Sequence, residues 1–173
     1  MGKMNILIGD ITSDEILKNH DCIVNPTNPA MRMGMGISGA IFKKAGVEKL
    51  ENFTSRKYHI TYESNANEMK VGEIRITPGF DLDMDILFVQ GPRFWDYNNP
   101  LEILKMTYLN LVDELSIKPY KNVLLPSLGT GEYGFSHEEV GPMLKAIITN
   151  FVKNHDINID LVLYEREIKK YYE

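Results

Sequence analysis

Two glycine-rich stretches carry the strongest chemical signal in the chain. Gly34-Met35-Gly36-Ile37-Ser38-Gly39 fits G-x-G-x-x-G, and so does Gly129-Thr130-Gly131-Glu132-Tyr133-Gly134. Glycine admits positive φ and leaves room for a ligand to touch main chain. Successive N–H groups, followed by a helix N-terminus, then face an anion. Two such loops on one sheet edge could grip a diphosphate from both sides. An acidic protein can do this, because dipoles rather than lysines meet the charge. The alternative reading of these glycines is ordinary turns and helix C-caps. A Rossmann dinucleotide site wants its first glycine directly after the first strand. Here the eight residues from Pro26 to Met33 separate Asn25 from Gly34, and the second match lies late in the chain. G-x-x-x-x-G-K-[ST] is absent, which argues against a Walker-type nucleotide triphosphatase.

The remaining chemistry-bearing residues are sparse. Cys22 is the single cysteine among 173 residues, so neither a disulfide within the chain nor a multi-cysteine zinc site is available. Its apolar setting predicts a buried, inert thiol. His20, His59, His137 and His155 show no metal spacing. His137, just after Ser136, reads as a surface helix residue. Met31, Met33 and Met35 alternate through the first glycine stretch, either as packing filler or as a lid. Trp95 and Tyr97 fall in a loop and are assigned no chemistry. The formal charge of −5 argues against a basic nucleic-acid surface as the main function. No apolar run approaches the roughly 20 residues that span a bilayer. The N-terminus carries no signal-peptide pattern. A reducing cytosol is the expected compartment, no cofactor or metal is implied, and nothing demands more than a monomer.

The elements that must position these loops follow from local pattern. Strands are expected at Asn5 to Ile8, Cys22 to Val24, Glu73 to Thr77, Ile86 to Val89, Val123 to Leu125 and Ile159 to Tyr164. Thr12-Ser13-Asp14-Glu15 and Ser136-His137-Glu138-Glu139 read as capping boxes, the second opening a helix to about Lys153. Asn25 to Gly36 reads as a long loop. A helix over Ser38 to Ala45 stops at Gly46, with Ser38 as its cap, and an amphipathic helix runs from Val47 to about Tyr58. Ser64 to Lys70 reads as a polar surface connection. Leu101, Leu104, Tyr108, Leu111, Val112 and Leu115 keep helical spacing. A charged helix closes the chain. Short apolar strands alternating with helices imply a mainly parallel sheet covered on both faces. The expectation is one three-layer α/β/α domain over residues 1–173.

Several motifs now converge in order: Gly9-Asp10-Ile11-Thr12, Ile23-Val24-Asn25-Pro26-Thr27-Asn28, Gly34 to Ile41, Gly91-Pro92, and Leu125-Pro126-Ser127-Leu128-Gly129-Thr130-Gly131-Glu132-Tyr133-Gly134-Phe135. Together they resemble the macrodomain family, from about Met4 to Tyr164. The resemblance implies a mixed sheet between helices and a cleft for ADP-ribose, free or protein-linked, at the C-terminal edge of the sheet. By position, Asp10 is similar to the acid that accepts from the adenine amino group, with the Ile11 N–H assisting. Tyr164 is similar to the aromatic that stacks on adenine. Asn28 is similar to the asparagine at the distal ribose, and the catalytic assignment rests on it. Gly34, Gly36, Ile37 and Ser38 correspond to the first phosphate loop. Ser127, Leu128, Gly129, Thr130, Gly131, Glu132 and Tyr133 correspond to the second, and Phe135 to an aromatic beside the distal ribose. Plainer roles stand beside these: helix-end acid for Asp10, turn residue for Asn28, core for Tyr164, hydrophobic staple for Phe135.

The resemblance leaves binding and hydrolysis both open. Family members that remove ADP-ribose commonly carry an aspartate in the helix-opening loop. Here that slot is Ser38, a poor general base at neutral pH. Members without the acid can use a water held by the ligand diphosphate and Asn28. A lysine-dependent branch places an aspartate where Tyr133 stands, and a zinc-dependent branch needs a Cys and His cluster. Three readings therefore stand: an ADP-ribose-binding module, a hydrolase of ADP-ribosyl groups or O-acetyl-ADP-ribose, and a different nucleotide enzyme on a similar frame.

Overall fold

The computed structural model describes every residue except Tyr62 and Asn65. The described residues form the strands β1 (Met4–Ile8), β2 (Cys22–Pro26), β3 (Ile74–Thr77), β4 (Asp85–Val89), β5 (Asn122–Pro126) and β6 (Asn158–Leu163). Between them, among the described residues, lie the α-helices α1 (Asp14–Leu17), α2 (Gly36–Ala45), α3 (Val47–Tyr58), α4 (Pro100–Ser116) and α5 (His137–Asn154). The sheet order is β1-β6-β5-β2-β4-β3. All neighbours are parallel except β3, which runs antiparallel to β4 with Ile74 opposite Val89.

Strand residues alternate between two cores, which explains why the strands read as unbroken apolar runs. Val24, Leu87 and Leu125 face α4 and α5, where Leu104, Tyr108, Leu144 and Ile148 meet them. Ile23, Ile86 and Leu124 face the other way, toward Ile41 and Phe42 of α2 and Leu50 of α3. Helices thus cover both faces, as the alternation of elements predicts. Because five strands are parallel, their C-terminal ends fall on one edge. Asp10, Thr27, Gly91, Ser127 and Tyr164 all follow strand ends there.

Local details depart from the sequence expectations. Ser13, not Thr12, caps α1, with its Oγ accepting from the Ile16 N–H. β2 runs two residues further than expected, to Pro26, and the Thr27 N–H continues the ladder to the Val89 carbonyl at 3.1 Å. α2 opens at Gly36, so Ser38 lies inside its first turn and is not its cap. Ser136 does cap α5: its Oγ accepts from the Glu139 N–H and donates to Glu139 Oε1. The charged terminus is a 3₁₀ segment, Arg166–Tyr171, rather than an α-helix. It packs so closely on α5 that a Cβ at Gly141 would overlap the Tyr171 carbonyl. The connection expected over Ser64 to Lys70 includes Asn65, which lies outside the described residues. Among the described residues no helix is long and apolar enough to cross a membrane.

Candidate functional site

A cleft of about 800 Å³ opens at the shared strand edge, between the start of α2 and the β5–α5 loop. Each strand contributes what its end presents: Asp10 after β1, Asn28 after β2, Gly91 after β4, Ser127 after β5 and Tyr164 after β6. Every site residue expected from sequence lines this cleft except Phe135. Phe135 is a correction. It is 3% exposed, lies under Gly129, and meets Phe94 edge-on with centroids 5.4 Å apart. An aromatic just before the Ser136 cap is drawn into the core, so it supports the loop from beneath.

The first loop is held by side chain–backbone bonds. Asn28 Nδ2 donates to the Arg32 carbonyl at 2.8 Å, and Asn28 Oδ1 accepts from the Arg32 N–H at 3.1 Å. Its carboxamide therefore fastens the turn as well as facing the cleft. Thr54 Oγ1 donates to the Met31 carbonyl, and the Met33 N–H donates to Glu51 Oε2, tying the loop to α3. Met31 is fully buried, whereas Met35 is 80% exposed on the cleft rim, so the three alternating methionines split between packing and site. Gly36 has φ +60°, and nothing lies within 4 Å of where a Cβ would stand. Gly39 does something different: a Cβ there would overlap the Gly34 carbonyl oxygen, so it lets the helix seat against the loop. The first-turn N–H groups of α2 have no intrahelical acceptor and face this edge.

The second loop hangs from the α4 core. The Leu128 N–H donates to the buried Tyr108 hydroxyl at 2.7 Å. Thr130 Oγ1 donates to the Ser127 carbonyl, and the Phe135 N–H donates to the Gly129 carbonyl. Tyr133 is fixed at both ends: its carbonyl accepts from the Phe94 N–H, and its hydroxyl accepts from Gln90 Nε2 at 3.3 Å. The position of a Cβ at Gly131 is open space.

Charge in the cleft is one-sided. Its charged lining residues are Asp10 and Glu132, with no lysine or arginine among them. Asp10 Oδ1 accepts both the Thr12 N–H and the Thr12 hydroxyl, each at 2.8 Å. Those bonds hold its carboxyl below the usual carboxylate range. Among the described residues no hydrogen bond occupies Oδ2. Tyr164 is 65% exposed and stands against His137, ring centroids 6.4 Å apart. Ser38, 5% exposed, keeps a buried Oγ with no partner among the described residues. No cluster of three potential metal ligands occurs among the described residues. With no basic side chain in the lining, an anion held here would be met by main-chain N–H groups, helix dipoles and lining hydroxyls.

The sequence profile of the Macro domain family matches residues 24–144. The chain belongs to the macrodomain family. It is 28% identical over 174 residues to the O-acetyl-ADP-ribose deacetylase of Escherichia fergusonii, covering 98% of this chain and 93% of that one. The Escherichia coli K12 protein of the same name is 26% identical over 176 residues, covering 99% and 93%. Among solved structures, the Oceanobacillus iheyensis macrodomain with ADP superposes with a TM-score of 0.82 at 28% identity, covering 96% and 86%. The Trypanosoma brucei macrodomain in complex with ADP-ribose, at 21% identity and a TM-score of 0.77 over 98% and 67%, shares the fold. Three further contributors to this macrodomain's cleft were not found by sequence reasoning: Tyr108 and Tyr172, which hold the second loop, and Gln90, which holds Tyr133. No local motif marks them.

Proposed function

We propose that this macrodomain, as one domain over residues 1–173, binds ADP-ribose, free or protein-linked. The single observation that carries the reading is a cleft flanked by two glycine loops and free of basic side chains. Such a site selects a ligand whose charge lies in the middle, where amides and helix dipoles can meet it. Adenine fits between Asp10 and Ile11 on one side and Tyr164 on the other. The diphosphate fits between Gly34–Ile37 and Gly129–Glu132, and the distal ribose toward Asn28 and Tyr133. The names of the relatives and the ADP in the Oceanobacillus iheyensis structure support the same ligand class. Cys22 is fully buried, and burial pushes its thiol pKa well up, which suits a reducing cytosol. Calorimetry with ADP-ribose and NAD tests the reading. ADP-ribose is expected to bind and NAD to bind far more weakly, since in NAD a nicotinamide occupies the distal-ribose carbon that this reading turns toward Asn28 and Tyr133. Equal affinity would overturn it.

A second activity, hydrolysis of O-acetyl-ADP-ribose or of a protein-linked ADP-ribosyl group, is favoured by the names of relatives matching nearly the whole chain. Water would add to the ester carbonyl and release acetate and ADP-ribose. Ser38 is neutral, so a water oriented by Asn28 and the ligand diphosphate would be the nucleophile. Asn28 Nδ2 has a second proton beyond the one given to Arg32, and that proton can serve the distal ribose or the water. Asn28→Ala is expected to cut turnover at least tenfold while costing about 1 kcal/mol of stability through the Arg32 bonds. Turnover that persists unchanged in the variant would remove Asn28 from the reaction.

A further inference from the structure

Ser127 is tied to two residues that do not line the cleft. Its Oγ lies 2.5 Å from the Tyr172 hydroxyl, and that hydroxyl lies 2.7 Å from His137 Nδ1. Ser127 comes from the β5–α5 loop, Tyr172 from just after the C-terminal 3₁₀ segment, and His137 from the first turn of α5. Tyr172 is 1% exposed, and Gly141 permits the close packing of the segment that carries it. The result is a continuous chain of hydrogen bonds from the cleft wall to an imidazole beside Tyr164.

We propose that Tyr172 and His137 are positioning residues that set whether Ser127 offers a proton or a lone pair to the nucleotide in the cleft. This rests on the ADP-ribose reading of the site. A chain of hydroxyls between a wall and an imidazole has two polarities. When His137 Nδ1 is an acceptor, the Tyr172 O–H donates to it and Ser127 donates to Tyr172. Ser127 then shows the cleft only a lone pair. When Nδ1 carries a proton, it donates to Tyr172, and Tyr172 donates to Ser127. The Ser127 O–H is then released into the cleft.

The ligand chooses between the two states. The ionised diphosphate oxygens of ADP-ribose can only accept, and Ser127 begins the loop assigned to them, so the donor state binds better. Protonated His137 can adopt only the donor state. Neutral His137 reaches it through the less common tautomer, or not at all. The groups facing His137 from the packed C-terminal segment are the Tyr172 hydroxyl, the Tyr164 ring and the Glu165 carboxylate. Burial holds the His137 pKa below its ordinary value, and Glu165 draws it partly back. Burial pushes the Tyr172 pKa up to about 12, so its hydroxyl stays protonated at any pH in question. ADP-ribose affinity therefore rises as the pH falls through the His137 transition.

Calorimetry of ADP-ribose binding from about pH 8 to about pH 5.5, a window that imidazole titration spans, tests this on the full chain, Tyr172→Phe and Ser127→Ala. The wild-type protein is expected to bind severalfold tighter at the acid end and to take up protons on binding. Tyr172→Phe keeps the ring and the His137 charge but breaks the chain. With Tyr172 no longer competing for it, the Ser127 proton is available to the cleft at every pH, so this variant is expected to bind near the wild-type acid-end affinity throughout and to flatten the pH profile. Ser127→Ala should also flatten the profile but weaken binding about three- to tenfold at the acid end, and the double variant should match Ser127→Ala. A pH profile that survives in Tyr172→Phe would mean that His137 acts by charge through space, and would overturn the relay. A double variant that binds more weakly than Ser127→Ala would also overturn it. Should Tyr172→Phe fail to fold, Ser127→Ala alone gives the same reading from the cleft side. A wild-type protein that binds no ADP-ribose would overturn the ligand assignment and this inference together. Normal wild-type binding with unchanged variants would overturn only the relay.

Discussion

Asp10 separates recognition from structure more cleanly than any other residue of the cleft. One carboxylate oxygen is spent inside the protein, on the Thr12 N–H and hydroxyl at 2.8 Å each. On the proposed reading, the other is left for the adenine amino group. Asp10→Ala removes both roles. It strands the N–H of Thr12, which is 5% exposed, and such a loss costs about 1–3 kcal/mol of stability. Asp10→Asn removes only one role. The Asn oxygen can still accept from Thr12, and the Thr12 N–H, a donor only, forbids the flipped rotamer. The carboxamide N–H₂ then faces the cleft, donor against donor at adenine. Losing a hydrogen bond to a charged group costs about 1.5–3 kcal/mol, or roughly tenfold to 150-fold in affinity.

The assay is calorimetry with two ligands, ADP-ribose and its analogue with an unsubstituted purine, beside urea unfolding. Asp10→Asn is expected to unfold within about 1 kcal/mol of the wild type, since a neutral bond replaces a charge-assisted one. Its large affinity loss for ADP-ribose should collapse with the analogue, which has no amino group to misplace. A double-mutant cycle of this kind isolates the pair. An equal loss for both ligands, or none for ADP-ribose, would refute the assignment of Asp10 to adenine.

Two other outcomes follow from the geometry. Gly131→Glu places a carboxylate in open cleft space, so ADP-ribose binding should fall below calorimetric detection while thermal unfolding stays near wild type; normal binding by a folded variant would remove the second loop from the diphosphate site. The His20–Asp160 pair, Nε2 to Oδ2 at 2.7 Å, predicts a pH-dependent stability. Burial opposes the His20 charge, but Asp160 outweighs it and raises the His20 pKa, while the bond from His20 lowers that of Asp160. The His20 contribution is full below its ordinary value of 6.5 and fades as the pH rises through the raised one. The Asp160 contribution is full above 3.8 and fades as the pH falls through the lowered one. Asp160→Asn should cost about 1–2 kcal/mol between these limits, the range expected of a half-buried pair, and less near pH 8.5. A gap in urea stability that stays constant or widens with rising pH would contradict this.

What was legible in the sequence was local. Alternation of short apolar strands with helices gave the layers and the parallel edge, because residues two apart share a sheet face and residues three or four apart share a helix face. The glycine loops gave the cleft, because Gly36 and Gly131 must leave space that any side chain would fill. Ser before an apolar run is the usual cap signal, which points to Ser38; the helix instead begins with the turn at Gly36, which a positive φ allows and pattern does not reveal. Phe135 fitted two roles equally well, and only the packing of Phe94 beside it decides for the core.

The parts that were not legible are contacts between residues far apart in the chain. Ser127 and Tyr172 are 45 positions apart, and His137 and Tyr172 are 35 apart. Neither pair has a spacing to recognise, since their meeting depends on how the last segment seats against α5. Taken alone, each residue reads as ordinary: a serine in a turn, a histidine in a first helical turn, a tyrosine near the terminus. Their chemistry arises from burial of Tyr172, which removes water as a competing partner and leaves its hydroxyl only Ser127 and His137 to bond. A site whose walls are main-chain amides has few side chains with which to tune affinity. Any such tuning must then come from the polar residues that hold the loops from behind, and these are the residues that a motif does not contain.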